Sequence, residues 1–195
     1  MVAELVEQLG HCACSGAFSA GLNPAQWAAL RYFERANRFS RTVSAFADYH
    51  GTTRGTASQT VRALVQKGYL RRLPAERDQR SFRLELTERA QSMLGADPLG
   101  GFVSAAASLP REQCTMLAQG LRAMLERVQE VRARPSFGVC TSCRHLCASN
   151  GDGDCGNRCA YKNALLQDGE LTKICIDYES RLEHSAIDER DHDEH

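Results

Sequence analysis

No apolar run in this chain of 195 residues approaches the roughly 18–20 residues that a membrane-spanning helix requires, which excludes such a span. The opening residues Met1-Val2-Ala3-Glu4-Leu5-Val6-Glu7 carry acids where a secretory signal needs positive charge. The chain has no internal repeats, no nucleophile–base pair and no glycine loop of the phosphate-cradling kind, so nothing points to an enzyme. It is not low in apolar residues either: 43% are hydrophobic and 25% charged, which excludes wholesale disorder and collagen-like repetition. The length fits one large domain, or one domain with an appendage. These absences predict a cytoplasmic protein with no membrane partner. What the chain does have is nine cysteines. In a reducing compartment they point to metal binding or redox chemistry rather than a disulfide framework.

The formal net charge is zero, with 24 Lys and Arg against 24 Asp and Glu, but the charges are segregated. Residues 31–91 hold thirteen cations and six acids, whereas residues 176–195 hold eight acids and two arginines. This asymmetry predicts a middle segment that meets a polyanion and an acidic tail.

Hydrophobic periodicity divides the chain into five segments. Residues 1–40 read as helical, with Leu5, Val6 and Leu9 on one face and a second helix opened by Asn23-Pro24, an N-cap followed by proline at the first helical position. In residues 41–91, a short helix from Val43 to Tyr49 meets a turn at His50-Gly51-Thr52. Thr53 then caps a helix from Arg54 to about Gln66. Val61, Leu64 and Val65 form the apolar face of that helix, while Thr56, Ser58, Gln59 and Arg62 lie mostly on its polar side. Tyr69–Leu73 and Phe82–Leu86 alternate as strands around the polar tip Pro74–Arg80. This order makes a winged helix-turn-helix, whose second helix can enter a major groove and whose hairpin can lie over a minor groove. Residues 92–134 are helical and carry the apolar stripe Met116, Leu117, Leu121, Met124, Leu125 and Val128, a pattern that commonly packs against a second subunit. Residues 135–180 form a cysteine-rich module, and residues 181–195 an acidic tail expected to be disordered. The fold class is mainly α with a small β-hairpin wing.

The run Phe46 to Leu70 and the pair Asp78-Gln79-Arg80 with Leu86-Thr87 resemble the MarR family of bacterial transcriptional regulators over roughly residues 22–130. The resemblance implies a homodimer built from the N- and C-terminal helices, bound to a pseudo-palindromic operator in double-stranded DNA, as a repressor. It implies recognition-helix roles for Thr53, Arg54, Thr56, Ser58, Gln59 and Arg62. The wing residues Arg77, Asp78 and Arg80 would reach DNA, with Arg80 in a minor groove and Asp78 orienting the loop; otherwise Asp78 and Arg80 merely stiffen the hairpin. An aromatic effector pocket between domains would draw on Trp27, Tyr32 and Phe33, for which core packing is the competing reading.

The C-terminal spacing is Cys140-x2-Cys143-x3-Cys147-x7-Cys155-x3-Cys159-x15-Cys175. A C-x2-C pair aims two thiolates at one centre, and all-thiolate coordination suits zinc, iron or an iron–sulfur cluster. This tail is similar to that of a subset of MarR-like regulators, in which Cys140, Cys143, Cys159 and Cys175 would be the ligands. Cys147 and Cys155 depart from that pattern and are additional candidates. Three readings compete: an iron–sulfur cluster, a structural zinc ion, and a thiol switch between Cys147 and Cys155. Cys12, Cys14 and Cys114 are expected to be buried packing residues, with a redox pair or extra ligand the alternative for Cys12 and Cys14; His145 is expected at the surface, with a substitute ligand the alternative, and His184, His192 and His195 in the solvated tail, with loose metal binding the alternative. The leading reading is a regulator whose operator binding follows a cysteine-ligated iron–sulfur cluster sensing iron, oxygen or redox state. The alternative from another class is a metal-containing redox or electron-transfer protein that uses the winged helix as an interaction module.

Overall fold

The structure, a computed structural model, describes residues 1–15, 18, 20–74, 82–132, 135–148 and 156–181. Seven helices stand among them: α1 (Val2–Ser15), α2 (Pro24–Arg35), α3 (Val43–His50), α4 (Arg54–Gln66), α5 (Glu88–Leu94), α6 (Gly100–Ala107) and α7 (Arg111–Val131). Between α4 and α5, β1 (Leu70–Pro74) and β2 (Phe82–Leu86) form an antiparallel hairpin. None of the described helices is long and apolar enough to cross a membrane.

The helix starts follow from local chemistry. Asn23 accepts from the Gln26 amide at 2.9 Å, and Gln26 returns the bond to Asn23 N at 3.3 Å, closing a capping box ahead of Pro24. Thr42, Thr53 and Thr87 each accept from the backbone N–H three residues on, capping α3, α4 and α5. Each such cap is worth about 1 kcal/mol. Gly51 takes the left-handed conformation, φ 60°, that turns α3 into α4.

One core holds these elements together. Trp27, Leu30, Tyr32 and Phe33 of α2 meet Phe46 and Ala47 of α3, Ala57, Val61 and Leu64 of α4, and Leu70 and Leu84 of the hairpin. Trp27, Tyr32 and Phe33 are at most 2% exposed, so they pack the core of the single chain. The hairpin register places Arg72 opposite Leu84 and Arg71 opposite Glu85. Leu84 faces the core, while Arg71 pairs with Glu85 at 3.1 Å on the outer side.

Helices α1, α6 and α7 bury no residue in the single chain. Leu5, Val6 and Leu9 on α1, and Met116, Leu117, Leu121, Met124, Leu125 and Val128 on α7, are exposed. Cys12 and Cys14 are exposed as well, and Cys114 is half-buried, which corrects their reading as buried packing residues. The reason is that, among the described residues of the single chain, α1 and α7 bury none of their side chains.

The cysteine-rich segment contributes β3 (Gly138–Val139) paired with β7 (Ile174–Cys175), and a three-stranded sheet of β4 (Leu146–Cys147), β5 (Arg158–Cys159) and β6 (Ala164–Leu165). It does not hang free of the winged helix. Asn37 N donates to Ile174 O at 2.9 Å and Ile176 N donates to Ser40 Oγ at 2.9 Å. Arg38 and Glu170 form an ion pair at 2.8 Å, the Phe137 ring lies 5.0 Å edge-on from Tyr49, and Ile174 belongs to the main core.

Candidate nucleic-acid interface and cysteine cluster

The polar side of α4 is the first candidate surface. Ala57, Val61 and Leu64 point inward at helical spacing, which turns Thr53, Arg54, Thr56, Gln59 and Arg62 out to solvent; Ser58 is half-buried at the boundary. The start of this helix is tightly organised. Thr53 Oγ1 accepts from Thr56 N at 3.1 Å and lies 2.9 Å from Thr56 Oγ1. The two hydroxyls therefore stand together at the positive end of a helix dipole, with Arg54 between them in sequence. Hydroxyls and amides at a helix N-terminus suit phosphate oxygens, and an exposed arginine or glutamine further along suits base edges. The expected wing-tip contacts Arg77, Asp78 and Arg80 lie outside the described residues.

Much of the positive charge counted in the sequence is already in structural use. Arg31 pairs with Asp97 at 2.9 Å, and Lys67 Nζ donates to Gly21 O at 2.7 Å and Gln26 Oε1 at 3.0 Å. Arg89 lies 4.6 Å over the Tyr69 ring and donates to Lys67 O at 3.0 Å. Arg41, Arg71 and Arg83 all surround Glu85, at 3.9, 3.1 and 3.5 Å. Charge counting could not separate these from Arg54 and Arg62, because it is blind to partners such as carbonyls and rings and to acids that come close only on folding, as Asp97 does to Arg31.

The second candidate site is the cysteine cluster. A single 3₁₀ turn, Cys140–Ser142, ends with Cys143 N donating to Cys140 O at 3.0 Å, and both thiols are buried. The β3–β7 pairing sets Gly138 opposite Cys175, so Cys175 comes beside the turn that bears Cys140. Gly138 is required there, because a Cβ would lie 2.5 Å from the Tyr178 ring. Cys159, on β5, is half-buried. Burial pushes the Cys140 thiol up to about 12, and Cys175, Cys143, Cys159 and Glu170 each add to the rise in that order. Burial also raises Cys175, against the amide of Asn37, which favours its thiolate. Cys143 on the same turn and Cys175 on the paired strand thus come near Cys140, while Cys159 lies on the outer sheet.

Cys147 does not join them: it is exposed on β4, and Cys155 lies outside the described residues. His145 is not a plain surface residue either. Its Nε2 stands 3.1 Å from Glu179, and its ring packs 5.2 Å from Tyr161. Among the described residues, no group of three His, Cys, Asp or Glu side chains is drawn together tightly enough to hold a metal ion. The donor set nonetheless fits a thiophilic centre in kind: three buried soft ligands and one half-buried, of which burial disfavours Cys140 and Cys175 as thiolates unless a cation compensates. The sequence did not reveal Asn37, Ser40 or Glu170, which join this cluster to the winged helix; no cysteine or histidine marks them.

Residues 20–81 match the model of the MarR family. Solved structures share the fold at low identity. A MarR transcriptional regulator from Methanosarcina mazei Go1 is 21% identical, with a TM-score of 0.52, over 67% of this chain and 94% of that one. The MepR–DNA complex from S. aureus is 19% identical, with a TM-score of 0.54, over 66% and 99%. The transcriptional regulator BldR from Sulfolobus solfataricus is 18% identical, with a TM-score of 0.51, over 65% and 90%. No curated protein matches the chain.

Proposed function

We propose that this chain is a DNA-binding transcriptional regulator of the MarR type, and that it acts in the cytoplasm as a repressor rather than as an enzyme. The observation that carries this reading is α4, whose outer side presents Thr53, Arg54, Thr56, Gln59 and Arg62 from a capped helix anchored by Ala57, Val61 and Leu64. The fold shared with MepR, solved as a DNA complex, supports it. In this reading α4 enters the major groove: Thr53 and Thr56 hold phosphate, and Arg54, Gln59 and Arg62 read base edges. The hairpin, with Arg77, Asp78 and Arg80 at its tip, lies over the adjacent minor groove. The exposed stripes of α1 and α7 pair with a second copy, setting two α4 helices on a pseudo-palindromic operator.

The cysteine cluster is the regulatory site of this reading. Cys140, Cys143, Cys159 and Cys175 would hold an iron–sulfur cluster or, alternatively, a zinc ion. When bound, either group supplies the positive charge that lets several thiolates share a buried site. Cys140 and Cys143 approach from one turn, Cys175 from the strand bonded to the winged helix, and Cys159 from the outer sheet. A change of charge among these sulphurs alters the packing of β7 on the winged helix and so the presentation of α4.

Two measurements test the reading. A gel shift on the chain's own upstream DNA is expected to show binding that falls steeply with salt. A protein that binds no DNA at low salt would sink the regulator reading and favour the redox carrier. Protein purified without air is expected to absorb between about 320 and 450 nm and to contain iron and sulfide. Colourless protein with one zinc per chain would replace the cluster with zinc.

A further inference from the structure

A small cavity opens where the α2–α3 connection, the base of the wing and the cysteine-rich segment meet. Its volume is about 220 Å³, and its walls are almost wholly polar. Arg38 and Arg41 come from the connection, Arg83 and Glu85 from β2, and Glu170 and Lys173 from the cysteine-rich segment. Local chemistry sets each of them there. Leu84 N donates to Arg41 O at 2.8 Å, which docks β2 on the connection, and the Leu84 side chain is buried. Arg83 and Glu85, on either side of Leu84 in the strand, therefore share the opposite face. Lys173 N donates to Glu170 O at 3.1 Å, and that turn sets Lys173 beside Glu170.

Four cations and two carboxylates face this space, an excess of two positive charges. The carboxylates are already shared out. Glu170 is 8% exposed; its Oε2 accepts from Arg38 Nη1 at 2.8 Å and from Gln167 N at 3.1 Å, and its Oε1 accepts from Arg38 N at 3.4 Å. Glu85 pairs at 3.1 Å with Arg71, which lies outside the cavity, and stands 3.5 Å from Arg83 and 3.9 Å from Arg41. Lys173 is half-buried and meets no carboxylate within ion-pair distance among the described residues. Cations gathered in one partly enclosed space focus a positive potential there, and an ion of two negative charges balances it.

We propose that this cavity binds a small dianion, inorganic phosphate or a short dicarboxylate, held between Arg41 and Arg83 of the winged helix and Lys173 of the cysteine-rich segment. Guanidinium groups offer paired N–H donors that match a phosphate or carboxylate edge, and an ammonium adds a point charge. The volume holds on the order of seven waters, which suits an ion of that size and excludes a nucleotide. The bound ion ties the cysteine-rich segment to the α2–α3 connection and to the wing at once. The site uses no cysteine, and it stands whether or not the cysteine cluster holds a metal and whether or not the chain binds DNA.

The test is calorimetric titration of the full chain with inorganic phosphate and, separately, with succinate, both at fixed ionic strength in a buffer without other multivalent anions. At least one of them is expected to bind at one ion per chain and to raise the melting temperature as its concentration rises. Saturation by phosphate alone makes this a phosphate site, by succinate alone a dicarboxylate site, and by both a site that reads charge. Lys173→Gln is expected to weaken binding about ten- to hundredfold while the melting temperature of the ion-free protein stays unchanged. Lys173→Arg is expected to keep most of the affinity. Arg41→Gln is expected to weaken binding to a similar degree; because Arg41 Nε also donates to Ala36 O at 3.1 Å, Lys173→Gln decides alone if that variant does not fold. No saturation by either ion up to about 10 mM would overturn the proposal. So would an affinity unchanged in Lys173→Gln. Binding lost in Arg54→Ala but kept in Lys173→Gln would put the ion at the start of α4 and overturn it as well.

Discussion

Arg62 lies about two turns beyond Arg54 on the exposed side of α4, with the buried Val61 beside it. Its side chain does nothing for the core, so Arg62→Ala should leave the melting temperature nearly unchanged. Operator affinity should nonetheless fall by about 1–3 kcal/mol if Arg62 reads a base, with relaxed specificity at that position. If it holds a phosphate instead, binding should weaken across all sequences and the salt slope should drop by about one. Titrations at several salt concentrations separate the two outcomes. A second residue-scale prediction concerns Cys140. Its thiol is held well above the ordinary value of 9.0, at about 12, chiefly by burial. Keeping it neutral contributes stability that is fully present below pH 9 and is lost as pH rises toward 12. Cys175 is raised in the same direction, as is Tyr32. Reduced, metal-free protein should therefore melt at progressively lower temperature above pH 9. Cys140→Ser should show a shallower decline.

At the scale of elements, the α2–α3 connection and the cysteine-rich segment stabilise each other. Arg38 and Glu170 are each largely buried, and Glu170 also accepts from Gln167 N at 3.1 Å at the start of its own 3₁₀ turn. Glu170→Gln removes the charge but keeps the shape. It should cost about 1.5–3 kcal/mol, the range for a hydrogen bond to a charged group, and should speed proteolysis within residues 135–181 before the winged helix unfolds. Thermal melts and timed proteolysis check both parts. This contact was not legible in the sequence. The break at Pro135 and the change in composition read as the start of an appendage, because a single buried ion pair across 132 positions leaves no periodic signal. The winged helix itself was legible element by element: its caps at Asn23, Thr53 and Thr87 and its left-handed Gly51 are local chemistry. The outward placement of Arg54 and Arg62 was legible for the same reason, since helical period alone turns them away from Ala57, Val61 and Leu64.

At the scale of the whole molecule, the proposed assembly rests on the exposed stripes of α1 and α7. Leu121 and Leu125 are 44% and 57% exposed in the single chain, so charging them disrupts no intrachain core. The double variant Leu121→Asp, Leu125→Asp should retain the winged helix, run as a monomer in sedimentation, and lose most operator affinity, because one half-site then binds alone. A double variant that remained dimeric would place the subunit interface elsewhere. The same scale governs the cysteines. Spacing alone grouped Cys140, Cys143, Cys159 and Cys175 only through a family likeness, and the fold is what brings Cys175 beside Cys140 and leaves Cys147 at the surface.

The sequence by itself determined the helices, their caps and the outward face of α4, because each depends on residues within a few positions of one another. Tertiary structure alone decided which arginines are held by Glu85, Asp97 or Glu170, since those partners come together only on folding. It alone revealed Asn37, a residue with no distinguishing neighbour in the chain, whose burial and bond to Ile174 O join two segments more than a hundred positions apart. The zero net charge of the sequence therefore conceals two different uses of its cations, and only the folded chain separates them.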